Sequence, residues 1–119
     1  MKDDLVYIEH VLGCLTRIQT YTGGSRSVFI ESTLVQDAVV RNLQVMAEST
    51  QRLSEEIKNK HPEVDWRGLA GFRNLLAHGY LGVDAQRVWD LIETRLAALR
   101  TSMERIRAEL VAAAGPAGE

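Results

Sequence analysis

Residues 66–80 read WRGLAGFRNLLAHGY, and this segment contains most of the chain's unusual side chains. Its apolar residues recur three and four positions apart, as in an amphipathic helix, and Asp65 is a suitable N-cap. Gly79 is typical of a helix end because glycine adopts the left-handed cap conformation without steric cost. The sequence therefore predicts a helix from Trp66 to His78, with Tyr80 just outside it.

Arg73 and His78 are the two residues of this segment that point to chemistry on a phosphodiester. A guanidinium offers fixed donors to phosphate oxygens at any working pH, and histidine transfers protons near neutrality. The two residues are five positions apart, which places them about 140° apart around a regular helix. They can converge only if the last turn unwinds or if a second chain supplies the complementary group.

The same residues also have an ordinary structural interpretation. Arg73 would be a solvated or paired surface residue, His78 a cap for the last carbonyls of the helix, and Tyr80 a loop-packing residue. Residue chemistry alone leaves both interpretations open, because short motifs also arise by chance.

Residues 73–80, RNLLAHGY, resemble the R-x4-H-x-Y motif of the HepT-like toxins, a branch of the HEPN ribonuclease superfamily. The similarity covers roughly residues 1 to 110. It also includes residues 37–43 (DAVVRNL), Ala47-Glu48, Trp66, Val83-Asp84 and Val88-Trp89. One departure is Ala47, where the family pattern has glycine, and this exchange of one small residue for another leaves the resemblance intact.

The resemblance implies a ribonuclease that is the toxin of a type VII toxin–antitoxin pair. It implies a homodimer whose two motifs face each other across a composite cleft, with Arg73 and His78 as catalytic residues and RNA as substrate. It also implies that a cognate minimal-nucleotidyltransferase antitoxin neutralises the toxin by transferring AMP to Tyr80. Metal-independent cleavage follows from a mechanism in which the ribose 2′-hydroxyl attacks the adjacent phosphorus.

Three polar residues could orient the side chains of the motif: Glu48, Asn42 and Asn74. Glu48 and Asn42 lie on the predicted second helix and could equally be ordinary flanking residues. Glu48 is the stronger of the two because the resemblance includes it together with Ala47.

Periodicity along the rest of the chain predicts an all-α fold, a slender up-and-down four-helix bundle of HEPN-like type. Asp3 or Asp4 would cap the first helix, residues 23–31 would form a connection with at most a short turn, and the last helix would begin at Asp84. A second helix from Ser32 to Asn59 would present an inner face at Leu34, Ala38, Asn42, Val45, Met46, Ser49, Leu53 and Ile57. At about 1.5 Å per residue the second and last helices would each be roughly 40 to 45 Å long. Such long helices leave apolar surface that one chain does not cover, which favours a symmetric dimer.

The composition fits one globular domain of residues 1–112, followed by a flexible tail, residues 113–119. The net charge of -2 argues against a general DNA-coating protein, so any nucleic-acid contact must come from a local group of arginines. Cys14 is the only cysteine, and the three histidines lack the spacing of a helical metal site, so we expect neither a metal nor a cofactor. Without a predicted signal peptide or membrane span, we expect a cytoplasmic protein with no membrane contact.

Two other functions remain compatible with this sequence. A catalytically silent helical adaptor could use the same motif to bind a nucleotidyltransferase-like partner. A small-molecule-binding bundle is supported only by the apolar interior. Cleavage of labelled RNA in the presence of EDTA separates the ribonuclease from both.

Overall fold

The computed structural model describes residues 2–79 and 84–115, and within these ranges the fold is all-α, as predicted. Four long helices and two short ones follow one another along the chain. They are α1 (Lys2–Thr22), α2 (Arg26–Glu31), α3 (Thr33–Gln51), α4 (Glu55–Lys60), α5 (Trp66–Gly79) and α6 (Ala85–Ala114). The molecule is slender, with principal dimensions of 49 × 25 × 19 Å. None of the described helices is long and apolar enough to cross a membrane.

The first helix begins two or three residues earlier than its predicted caps imply. Helix α1 starts at Lys2, so Asp3 and Asp4 lie inside its first turn. Asp4 is buried, and its carboxylate accepts hydrogen bonds from the Ser54 backbone N–H at 2.8 Å and from the Ser54 hydroxyl at 2.7 Å. The role of Asp4 is therefore to tie α1 to the start of α4.

The segment between α1 and α3 contains a helix, where the sequence predicted only a connection with at most a short turn. Gly23 and Gly24 end α1 with φ angles of +59° and +75°, values that favour glycine over other residues. Ser25 then accepts a hydrogen bond from the Val28 N–H and so caps α2. Phe29 makes this short helix stable because it is buried against Trp89 of α6, with 5.6 Å between the ring centroids.

The predicted second helix is interrupted after Gln51. Ser32 is its N-cap, as expected, but Ser54 acts as a second N-cap and accepts a hydrogen bond from the Ile57 N–H. Because Ser54 also binds Asp4 of α1, the break is held by a tertiary contact that a helical pattern does not reveal.

The inner face of α3 agrees only in part with the predicted one. Leu34 is 79 % exposed, whereas Met46 and Ser49 are buried as predicted. The buried residues of α3 are Val39, Val40, Leu43, Met46, Ala47, Ser49 and Thr50. Helix α3 packs mainly against α1 and α5, so its buried face is centred between those two neighbours.

Helices α5 and α6 begin as predicted. The Asp65 carboxylate accepts a hydrogen bond from the Gly68 N–H at 2.9 Å, and Asp84 caps α6 through the Gln86 N–H. The absence of a side chain at Gly68 has a steric explanation, because a Cβ at this position would clash with the Asp65 carboxylate. Helix α6 has 30 residues and is therefore about 45 Å long. Apolar residues recur three and four positions apart along α6 and form a packing seam that is mostly buried, including Val88, Ile92, Leu99, Met103 and Ile106.

Candidate functional site

Arg73 lies on α5 and makes a direct ion pair with Glu48 of α3. The Arg73 Nε donates to Glu48 Oε2 at 2.6 Å, and the two side chains are 46 % and 44 % exposed. This hydrogen bond occupies only the Nε donor, and a guanidinium has further N–H donors on its terminal nitrogens. Arg73 can therefore bind a solvent-borne anion while Glu48 orients it.

A second arginine lies next to the same carboxylate. Arg52 Nε is 3.6 Å from Glu48 Oε1, one turn further along the chain. Two guanidinium groups thus share one carboxylate, and the local net charge is positive although the whole chain is slightly acidic.

Gln44 is a contact residue that the sequence did not single out. Its Nε2 donates to the Leu76 carbonyl at 3.4 Å, a long hydrogen bond. Leu76 is among the last four residues of α5, whose carbonyls have no partner within the helix. The sequence offered one clue to this contact. Gln44 lies one turn before Glu48 and therefore on the same face of α3.

The other two polar residues named from the sequence lie elsewhere. Asn42 accepts a hydrogen bond from Arg17 Nε of α1 at 2.9 Å and donates to the Ala38 carbonyl, so its contacts are with α1 and its own helix. Asn74 is exposed on α5 beside Arg73. Of the three, the structure brings only Glu48 to Arg73.

The helix that carries the motif continues as an α-helix through Gly79. His78 therefore lies in its last turn, as predicted, at about 140° from Arg73 around the helix axis. The His78 side chain and the whole of Tyr80 lie outside the described residues, as do residues 81–83, which the sequence placed before the last helix.

The start of α5 is anchored by the loop that precedes it. Trp66 Nε1 donates to the His61 carbonyl at 3.0 Å. The buried His61 ring has Nδ1 3.2 Å from Glu63 Oε2 and Nε2 3.1 Å from Glu109 Oε1 of α6. The pKa of Glu63 is lowered, first by a backbone hydrogen bond to its carboxylate and then by His61. These contacts fix the direction in which α5 leaves the loop.

A groove of about 450 Å³ separates α5 from α6 on another face of the motif helix. Apolar side chains of both helices line it, and Arg87 and Arg95 lie among its charged residues. The apolar lining includes Leu69, Phe72, Leu75, Leu91, Leu96 and Leu99. The single chain therefore leaves part of its apolar surface accessible beside the motif.

Other reactive groups lie in structural positions. Cys14 is buried, and desolvation raises the pKa of its thiol despite Arg17, whose Nη2 is 3.8 Å from the sulfur. Within residues 2–79 and 84–115, no three histidine, cysteine, aspartate or glutamate side chains are arranged to hold a metal ion.

The model of the ribonuclease HepT-like family matches residues 11–106. The chain belongs to the HepT-like ribonuclease family. The match includes α3 and α5 in full, and therefore the Arg73–Glu48 pair and the R-x4-H part of the motif.

Three relatives illustrate the range of the family. A protein of Caldanaerobacter subterraneus subsp. tengcongensis named as a candidate RNase is 32 % identical over 107 residues, which cover 89 % of this chain and 96 % of that protein. The "Probable ribonuclease HepT" of Thermococcus cleftensis is 30 % identical over 105 residues, or 85 % of this chain and 93 % of that one.

The third relative is longer than this chain. It comes from Methanocaldococcus jannaschii, and its name joins a gamma-glutamylcyclotransferase to a candidate RNase. It is 29 % identical over 110 residues, which cover 92 % of this chain but only half of that protein. No solved structure matches the chain.

We expect Glu48→Gln to release Arg73 without unfolding the protein. An exposed ion pair contributes at most about 1 kcal/mol, so the free energy of unfolding in urea should change by no more than that. The ¹H–¹⁵N signal of the Arg73 Nε–H should lose its protection from solvent exchange. Glu56→Gln, which removes an exposed pair with Lys60 on α4, is the matched control and should leave that signal unchanged. An equally protected signal in Glu48→Gln would contradict the assigned role of Glu48.

Proposed function

We propose that this protein is a metal-independent endoribonuclease and the toxin of a type VII toxin–antitoxin pair. The observation that carries the proposal is the Arg73–Glu48 pair at the surface, five residues before His78 on one helix. Membership of the HepT-like family and the ribonuclease names of the relatives support RNA as the substrate.

The reaction is attack of a ribose 2′-hydroxyl on the adjacent phosphorus. A bond forms between the 2′-oxygen and phosphorus, and the bond from phosphorus to the 5′-oxygen of the next nucleotide breaks. The products are a 2′,3′-cyclic phosphate and a 5′-hydroxyl end, so no water or external nucleophile is consumed. The proton lost by the 2′-hydroxyl is balanced by the proton gained by the 5′-oxygen.

Each residue of the motif has one task in this reaction. Arg73, oriented by Glu48, stabilises the negative charge that develops on the phosphate oxygens. His78 transfers the proton, since imidazole is effective near neutral pH. DNA is spared because it has no 2′-hydroxyl.

Cleavage should survive EDTA and should depend on both residues of the motif. Loss of a general acid/base or of a charge-stabilising donor costs roughly 100-fold or more in rate, so His78→Ala and Arg73→Ala should each lower RNA cleavage by at least about that factor. His10→Ala changes an exposed histidine of α1 and is the matched control, with cleavage unaltered. Near-normal cleavage by His78→Ala would exclude His78 as the proton carrier.

The active cleft is composed of two copies of the chain. Helix α5 continues through Gly79, so within one chain Arg73 and His78 remain about 140° apart around its axis. A second motif that faces the first supplies the complementary group. The accessible apolar surface between α5 and α6 supports association of two chains on this side of the molecule.

Light scattering on the protein at micromolar concentration should give about twice the 13.3 kDa chain mass. Association of two chains covers the apolar surface that a slender bundle leaves exposed. A stable monomer that still cuts RNA would refute the composite cleft.

Tyr80 is the site at which a partner switches the enzyme off. A phenol with a pKa near 10 is a poor proton carrier at neutral pH, so a catalytic role does not explain it. We assign it as the acceptor of AMP from ATP, transferred by a cognate minimal-nucleotidyltransferase antitoxin. The tyrosyl oxygen bonds to the α-phosphorus of ATP, pyrophosphate leaves, and the phenolic proton is released. The new phosphodiester places negative charge near the site where an RNA phosphate must bind.

Incubation with such a partner, ATP and Mg²⁺ should raise the protein mass by multiples of about 329 Da, the mass of an AMP residue, and should abolish RNA cleavage. Tyr80→Phe should escape both effects. Tyr21→Phe, which changes an exposed tyrosine of α1, should be modified and neutralised like the unaltered protein. An adduct found on another residue, or neutralisation of Tyr80→Phe by nucleotide transfer, would remove Tyr80 from this role.

A further inference from the structure

The contacts between α3 and α5 define how the two antiparallel helices are aligned. Glu48 of α3 meets Arg73 of α5, and Gln44 meets the Leu76 carbonyl. A step of four residues towards the start of α3 thus corresponds to a step of three residues towards the end of α5. Three residues further back, the same face of α3 carries Arg41, which therefore lies beside Gly79, where α5 ends.

Arg41 differs from the other arginines near the motif. Arg73 and Arg52 are paired with Glu48, and Arg17 is bonded to Asn42. Arg41 is exposed, and no hydrogen bond or ion pair joins its side chain to another of the described residues. None of the described side chains holds its guanidinium, which is exposed to solvent.

We propose that Arg41 binds an RNA phosphate adjacent to the one that is cleaved. The proposal rests on the ribonuclease function and names a residue that holds its substrate. Arg41 lies about 10 Å from Glu48 along the axis of α3, since seven residues separate them. Glu48 retains Arg73 at its own position, so the two guanidinium groups serve different phosphates of one strand.

The charge of the chain makes such a contact important. The net charge is -2, so the protein has no overall basic field that would concentrate RNA at its surface. Affinity must come from individual cations near the motif. The planar donor fork of arginine is suited to phosphate oxygens, and Arg41 extends the positive region of Arg52 and Arg73 towards the end of α5.

Salt dependence of RNA binding tests this proposal directly. Each phosphate contact of a single strand contributes about 0.7 to the slope of log affinity against log salt concentration. In the non-cleaving His78→Ala protein, Arg41→Ala should lower that slope by about 0.7 and weaken binding of a labelled single-stranded RNA about 10-fold at low salt. Arg41→Lys should keep the slope, because the charge is retained.

Cleavage kinetics and a matched arginine complete the experiment. Arg41→Ala alone should raise KM about 10-fold and leave kcat within about twofold, because the lost contact is made equally in the bound substrate and the transition state. Arg67→Ala removes another exposed arginine, near the start of α5, and should change neither the slope nor KM.

Three outcomes would overturn the proposal. The first is an unchanged slope and KM in Arg41→Ala. The second is a lower stability of Arg41→Ala in urea with unchanged RNA affinity, which would make Arg41 a cap for the last carbonyls of α5. The third is a lower mass by light scattering with an unchanged slope, which would place Arg41 in a contact between two chains.

The result also separates this proposal from the ribonuclease function. If the unaltered protein cuts RNA and Arg41→Ala keeps its slope and KM, only the role of Arg41 fails. If RNA binds with a slope that depends on Arg41 but is never cut, the phosphate contact stands and the ribonuclease function fails.

Discussion

The antiparallel packing of α3 against α5 is the constraint on which the candidate site depends. Leu43, Met46 and Leu76 are almost completely buried, so the two helices cannot slide or rotate without exposing core surface. Removing one such side chain costs about 2 to 5 kcal/mol. With this alignment fixed, Glu48 can meet Arg73 and Gln44 can meet the end of α5.

The stability of this protein and its proposed function thus depend on different interactions. The core determines where the helices lie, whereas the Arg73–Glu48 pair is nearly half exposed and adds little to the free energy of unfolding. The ion pair instead restricts the orientation of the Arg73 guanidinium. Because Glu48 accepts from Nε alone, the terminal nitrogens of Arg73 remain available for a phosphate.

The regular end of α5 gives a physical reason for a composite cleft. A helix that continues through Gly79 keeps residues five positions apart on different sides of its axis. An Arg-x4-His arrangement on such a helix is therefore poorly suited to act within one chain. In the proposed dimer a second motif would supply the complementary group, and the groove beside α5 offers apolar surface for such an approach.

The sequence by itself determined the all-α class, the family, and the ends of the motif helix. These features depend on local chemistry: Asp65 and Asp84 cap the helices that follow them, and apolar periodicity identifies α5 and the seam of α6. The R-x4-H-x-Y motif is contiguous, so Arg73, His78 and Tyr80 could be named without a structure. Glu48 was among three possible supporting residues, and nothing in the sequence alone separated it fully from Asn42.

Only the tertiary structure decided which face of α3 is buried and where that helix stops. Leu34 is apolar but exposed, because the neighbours of α3 are α1 and α5 and the buried stripe must lie between them. The helix is interrupted after Gln51, where Ser54 binds Asp4, a residue 50 positions earlier in the chain. Asn42 faces α1, whereas Glu48 and Gln44 face α5. Asn42 is six residues from Glu48, a rotation of about 240° around the helix, whereas Gln44 is four residues from Glu48, only about 40° beyond a full turn. Such contacts depend on the relative placement of whole helices, which local sequence does not encode.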